Sequence, residues 1–262
     1  MITSPANSHV KRIRSLAADR KERHRERLFV LEGVRLIADA LVSSADLPII
    51  LYAPDQLATT PDGQQLLDQL TNRPGAFVAT QAVIAAAAET VHPQGVVAIA
   101  RWPQIEPGKP GIIVVVEAGQ DPGNLGTLLR SAEAVGAAQV LCTTGTVDLY
   151  SPKVVRAAMG AHFRLAIKQD LGWEAVAERL ASVDHIYAAE AEASMPYYAA
   201  DWRQPSALVL GSEAHGLSDQ AKAFTNRAIS IPMRGRAESL NMAVAGSIIL
   251  FEALRQRTRG RS

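Results

Sequence analysis

Nine residues, GIIVVVEAG (Gly111–Gly119), limit this chain more than any other stretch. Five β-branched residues follow one another without a polar break. A strand with one solvated face alternates apolar and polar residues. This run does not, so it must be buried on both faces, as strands are in a parallel sheet covered by helices. The sequence downstream agrees. Asn124–Val135 reads as a helix ended by Gly136, AQVLCTT as a strand, Pro152–Met159 as a helix, FRLAI as a strand and Trp173–Leu180 as a helix. HIYAAE and SALVLGSEA read as strands, Ser218 caps a short helix to Phe224, RAISIP is the last strand, and Ser239–Arg257 is the last helix. Alternating strands and helices predict an α/β fold with a mainly parallel sheet.

Upstream lies RWPQIEPGKPG (Arg101–Gly111), whose prolines and glycines are linker chemistry. The expected division is a domain at 1–102, a linker at 103–110 and a second domain at 111–262. The first domain also alternates. A basic helix runs from Ser8 to Arg23, followed by the strands RLFVLEG, LPIILYAP, GAFVAT and GVVAIARW with helices between them.

With 48% hydrophobic and 20% charged residues, the composition supports a packed core and argues against disorder. The net charge of +1 does not announce a nucleic-acid binder. Its distribution is more telling. Lys11, Arg12, Arg14, Arg20, Lys21, Arg23, Arg25 and Arg27 crowd the start, and Arg255, Arg257, Arg259 and Arg261 the end. Such ends suit an anionic partner, or are solvated helix termini. Cys142 is the single cysteine, which excludes an internal disulfide and a cysteine-based zinc site; it reads as a buried small hydrophobe. The polar, basic start and the lack of a long apolar run lead to the expectation of a soluble cytoplasmic protein without a leader or membrane span.

Ligands of open α/β sheets sit beyond the carboxyl ends of the strands. Three loops qualify. In VEAGQDPGNLGTLLRSAEAVGA there is no G-x-G-x-x-G, so a dinucleotide site is poorly supported. Asn124 is an N-cap or a site residue; Arg130 reaches the site or pairs with a local acid such as Glu133. In LVLGSEAHGLS, Gly211 allows close approach of a ligand or another backbone, Glu213 stands at the apex, and His215 is a general base by type or a loop contact. In IPMRGRAESLNMAVAG, Ser239 caps the last helix and Asn241 lies in its first turn, either as plain capping or as part of an anion-attracting helix start. No metal cluster and no hydrolase triad order is found.

Taken together, NLGTLLRSAEAVGA, LVLGSEAHGLS and ISIPMRGRAESLNMAVAGSIILFEA resemble, in order and spacing, the three motifs of the SpoU (TrmH) family of RNA 2′-O-ribose methyltransferases, of the SPOUT class. The match spans Asn124–Ala253. The first domain, through RLFVLEGVRLIADAL, is similar to the small RNA-binding domain often fused to this family. The resemblance implies a parallel sheet whose C-terminal segment forms a deep trefoil knot. It implies S-adenosylmethionine bound in the knot by Leu210, Gly211, Ile231, Met233 and Leu240, polar site residues Asn124, Arg130, Glu213, Ser239 and Asn241, and a homodimer. RNA, ribosomal by preference, is expected to meet Lys11, Arg12, Arg14, Arg23, Arg25, Lys153 and Arg156. The alternatives are transfer RNA as target, or a non-catalytic RNA-binding protein on the same fold.

Overall fold

The computed structural model describes residues 1–108, 111–212 and 215–259, the side chain of Arg259 excepted. The chain forms two compact units: Met1–Gln104 with Tyr150–Phe163, and Ile105–Leu149 with Arg164–Ser262. The boundary at 104/105 falls in the expected linker. The segment Tyr150–Phe163, expected in the second domain, packs instead with the first unit.

In the first unit the basic run is two helices, not one. The Asp19 side chain accepts from the N–H groups of Lys21 (2.7 Å) and Glu22 (3.4 Å). That cap ends α1 (Ser8–Ala18) and starts α2 (Arg20–Glu26). Then follow β1 (Leu28–Glu32), α3 (Val34–Val42), β2 (Ile49–Tyr52), α4 (Pro54–Leu57), α5 (Pro61–Leu70), β3 (Ala76–Val78), α6 (Gln81–Ala87) and β4 (Val96–Arg101). The sheet order is β1-β4-β2-β3, with β2 and β3 parallel and the other pairs antiparallel. Leu28, Val30, Ile49, Leu51, Val97 and Ile99 share one core with Val10, Ile13 and Leu16 of α1 and Val83 and Ile84 of α6.

This packing corrects part of the expected RNA-binding set. Arg23 is only 4% exposed, and its guanidinium donates to the carbonyls of Leu16 (2.6 Å) and Ala17 (2.8 Å). It closes the C-terminus of α1 and cannot reach a phosphate. Arg12 and Arg25 pair with Glu26 at 2.8 and 3.2 Å, and Arg25 foremost, then Arg12, holds the Glu26 carboxyl below its ordinary range. Arg156 pairs with Glu89 (3.2 Å) and Glu32 (3.9 Å) within the same unit. Lys11, Arg14 and Lys153 are exposed. The segment that carries Lys153 and Arg156 is held by aromatic contacts: Tyr150 stacks on Trp102 at 3.9 Å, and Phe29 meets Tyr150 at 5.1 Å and Phe163 at 6.0 Å.

The second unit contains β5 (Ile112–Val116), α7 (Pro122–Ala134) and β6 (Gln139–Thr143). After α8 (Pro152–Ala158), which belongs to the first unit, come β7 (Ile167–Leu171), α9 (Trp173–Leu180), β8 (His185–Ala189), β9 (Met195–Pro196), β10 (Ser206–Leu210), α10 (Asp219–Phe224), β11 (Arg227–Ser230) and α11 (Met242–Arg259). The seven strands are ordered β7-β6-β5-β10-β8-β11-β9, and every pairing is parallel. The mainly parallel sheet is therefore as the apolar runs require. FRLAI is not the strand, however. Ile167–Leu171 takes that place at the sheet's edge and alternates between half-buried and exposed residues, so it lacks the apolar run that marks a central strand.

Alternate residues of β10 serve opposite faces. Ala207 and Val209 pack with Trp173, Val176 and Leu180 of α9 and with Ala221 of α10, while Leu210 turns toward α11. The far end of α11 is stapled down: Gln256 accepts from the Trp202 N–H (3.1 Å), and Arg257 donates to the carbonyls of Trp202 (2.6 Å) and Gln204 (2.7 Å). Arg255 pairs with Glu252 at 2.7 Å. These two arginines of the basic end thus serve the fold. No helix among the described residues is long and apolar enough to cross a membrane.

Cys142, near the carboxyl end of β6, is fully buried. Burial, then the charge of Asp170, pushes its thiol up to about 12. A raised value favours the neutral thiol in the native state. Its contribution to stability is complete below the thiol's ordinary value of 9.0 and is lost as the pH rises toward about 12. Native protein at pH 8 should resist thiol alkylation and react only on unfolding; prompt labelling of the folded protein would contradict this placement.

Candidate active site

Two glycines shape the loop after β10. A Cβ on Gly211 would stand 2.3 Å from the Gly216 carbonyl carbon and 2.6 Å from the Leu217 nitrogen. Only a residue without a side chain lets these backbones meet. The Ser212 and Gly216 backbones then exchange hydrogen bonds of 3.1 and 2.9 Å, closing the loop, and Gly216 turns it at φ +66°. His215 donates its N–H to Ser212 Oγ (3.2 Å). Glu213, expected in the site, lies outside the described residues.

The second wall comes from the chain beyond β11. Asn241 caps α11: its Oδ1 accepts from the N–H groups of Ala243 (2.9 Å) and Val244 (3.2 Å). Ser239, expected as the cap, stands two residues outside the cap position, and the helix begins at Met242 rather than Ser239. Between the two segments is a cavity of about 540 Å³ at the carboxyl ends of β8, β10 and β11. Leu210, Gly211, Ile231, Met233 and Leu240 all line it, together with Ser239 and Asn241. Facing these largely apolar groups are Glu190 and Glu192; Glu190 pairs with Lys222 at 3.5 Å.

The third segment is α7. Its cap is Asp121, whose carboxylate accepts from the Asn124 N–H (2.7 Å); the helix opens with Pro122, so Asn124 lies inside its first turn. Leu128 meets Gly246 of α11, and the Ser131 and Ser247 hydroxyls bond at 2.7 Å. Contacts that rise together in number mean that α7 and α11 run parallel. Gly119, just before α7, also lies against Met242 at the start of α11. Asn124 and Asn241 therefore share the end of the helix pair that lies beyond the sheet. Neither Asn124 nor Arg130 lines the cavity. Arg130 is exposed, roughly 9 Å further along the helix at 1.5 Å per residue. Glu133, the acid named as the alternative partner of Arg130, pairs with Arg164 at 2.9 Å.

One buried residue that holds the loop after β10 escapes a reading of the sequence. Glu117 marks only the end of an apolar run there, yet its carboxylate is buried and bonded to Ser218 and Trp173. The signal available was a lone acid closing a strand that is otherwise all apolar.

Residues 111–251 match the SpoU rRNA Methylase family, and residues 7–98 match the MRM3-like substrate binding domain. The 23S rRNA (guanosine(2553)-2′-O)-methyltransferase RlmP of Bacillus subtilis is 29% identical over 95% of this chain and 97% of its own. The mitochondrial rRNA methyltransferase 3 of Homo sapiens is 30% identical over 98% of this chain and 74% of its own. The crystal structure of an AdoMet-bound rRNA methyltransferase from Sinorhizobium meliloti superimposes with a TM-score of 0.83 at 31% identity, covering 97% of each chain.

The two close approaches differ in kind. The atoms crowding Gly211 are backbone, whereas those crowding Gly246 are the tips of Leu128 and Leu210. Gly211→Ala should cost about 2–3 kcal/mol in urea unfolding and deform the cavity wall. Gly246→Ala should cost about 1 kcal/mol or less, since leucine tips move and alanine favours the helix. Equal costs would show that the loop after β10 gives way easily.

Proposed function

The chain belongs to the SpoU rRNA methylase family, and from that premise we propose that it transfers a methyl group from S-adenosylmethionine to a ribose 2′-hydroxyl of ribosomal RNA. One observation carries the reading. The five positions expected to hold the methyl donor, spread from Leu210 to Leu240, line a single cavity. Its volume suits a small-molecule ligand. Its chemistry also suits this one: apolar walls from Leu210, Ile231 and Leu240 for a flat base, and carboxylates from Glu190 and Glu192 for hydroxyls and a cationic end. When bound, the donor supplies an electrophilic methyl on a positively charged sulfur.

The chain's own groups then position and stabilise. Arg130 is exposed, and a guanidinium stays protonated in proteins. Its role in this reading is to grip a substrate phosphate and stabilise negative charge developing on the ribose oxygen. Asn241 spends its carbonyl oxygen on the helix cap, which leaves its amide N–H groups to donate into the cavity it lines. Asn124 and Ser239 orient the ribose or Arg130, and Glu213 orders the loop it belongs to. Holding the hydroxyl in line with the methyl is a large part of the acceleration.

Ribosomal RNA is favoured over transfer RNA because both relatives above act on rRNA and the first unit matches a substrate-binding domain. A homodimer is supported by α11, where Val244 (47% exposed) and Phe251 (51% exposed) stand seven residues apart on one apolar face beside α7. In this reading the segment 231–241 belongs to the knotted part of the chain, and the protein works in the cytoplasm.

Titration calorimetry with S-adenosylmethionine, followed by mapping of 2′-O-methylation on rRNA fragments, tests the whole reading; absence of donor binding would leave an RNA-binding scaffold. Arg130→Ala should lower kcat by about 10²–10³-fold with donor affinity unchanged. If Arg130→Lys keeps most activity across pH, positive charge is the requirement and a guanidine-specific base is excluded. RNA affinity should fall steeply with salt. Lys11→Ala should flatten the log–log slope by about 0.7, whereas Arg23→Ala should leave it unchanged. A slope insensitive to Lys11 would remove α1 from the RNA surface.

A further inference from the structure

Glu117 is 8% exposed at the carboxyl end of β5. Its Oε1 accepts from Ser218 Oγ (2.6 Å) and Trp173 Nε1 (3.1 Å), and its Oε2 accepts from the Ser218 N–H (2.8 Å). Ser218 also accepts from the Ala221 N–H (3.1 Å), capping α10. The Glu117 N–H donates to the Leu210 carbonyl at 2.9 Å. One residue therefore grips the loop Gly211–Ser218 at both ends, through Leu210 before it and Ser218 after it. That loop is a partition. It lines the 540 Å³ cavity on one side and a second cavity of about 680 Å³ on the other, and Ser212, His215 and Gly216 face both. Beyond Glu117 the chain runs directly into α7, which carries Asn124 and Arg130.

A buried carboxylate loses hydration, and among the described residues no cation repays Glu117. An apolar residue there would leave the Ser218 N–H and the Trp173 Nε1–H without their acceptor. What the carboxylate adds is directed acceptors at a fixed place. We propose that Glu117 is a positioning residue that sets the loop after β10, and with it the wall of the donor cavity, relative to α7. The proposal rests on the donor reading of that cavity.

Glu117→Gln keeps the size but turns an amide N–H₂ toward the Ser218 N–H. In ligand-free protein, hydrogen exchange over Gly211–Ser218 should quicken about tenfold while β5 keeps its protection. The donor Kd and KM should rise about tenfold, with KM for RNA within about twofold of wild type. Should Glu117→Gln fail to fold, Ser218→Ala removes one of the three bonds and should give the same pattern at about threefold. Unchanged loop exchange, unchanged donor affinity, or equal loss of donor and RNA affinity in a folded variant would overturn the proposal. A wild type that binds no S-adenosylmethionine overturns the donor reading instead, and the exchange comparison still decides whether Glu117 anchors the loop.

Discussion

Helix α11 lies close on α7 and β10 at Gly246, where any side chain would have to push leucine tips aside. A Cβ there would sit 2.6 Å from Leu128 Cδ1 and 2.8 Å from Leu210 Cδ1. Much else follows from that seat. With α11 pressed down, its capped start at Asn241 lies beside the loop after β10, and the segment from Ile231 to Leu240 closes over Leu210. Its other end is fixed by Gln256 and Arg257 to the segment around Trp202. The cavity is thus a by-product of helix packing.

Charge is used economically in the same structure. The basic ends of the chain look like a surface for polyanions, but part of their charge is already engaged: Arg23 caps α1 from a buried position, Arg257 binds carbonyls, and the exposed Arg12, Arg25 and Arg255 and the half-buried Arg156 have carboxylate partners. The exposed cations of the first unit still include Lys11, Arg12, Arg14, Arg20, Lys21, Arg25, Arg27 and Lys153.

The sheet was legible in the sequence because buried parallel strands leave continuous apolar runs, as GIIVVVEAG and SALVLG do. The edge strand Ile167–Leu171 was not, because an edge is half solvated and its residues read as a loop. Caps were legible as regions but not as residues. Ser239 and Asn241 are both competent, as are Asp121 and Asn124, and only the backbone's path decides between them. Asp19 shows the same limit: within a basic amphipathic run it reads as one more surface acid until its two N–H bonds end the helix. The positions expected to hold the donor came from family resemblance, and all five line one cavity. Glu117 and the docking of Tyr150–Phe163 on the first unit depend on partners far along the chain, which local pattern does not carry.

The cavity draws on three separate stretches, Ala189–Glu192, Leu210–Leu217 and Ile229–Ile249. A ribosome delivers them in that order. Strands β5, β6 and β10 can pair while the chain is still growing, but no pocket exists until Ile249 has emerged and α11 has docked. A chain that has not yet reached residue 249 therefore lacks this cavity. Once formed, the pocket reports that α11 is in place, and a ligand bound there would stabilise its docked position.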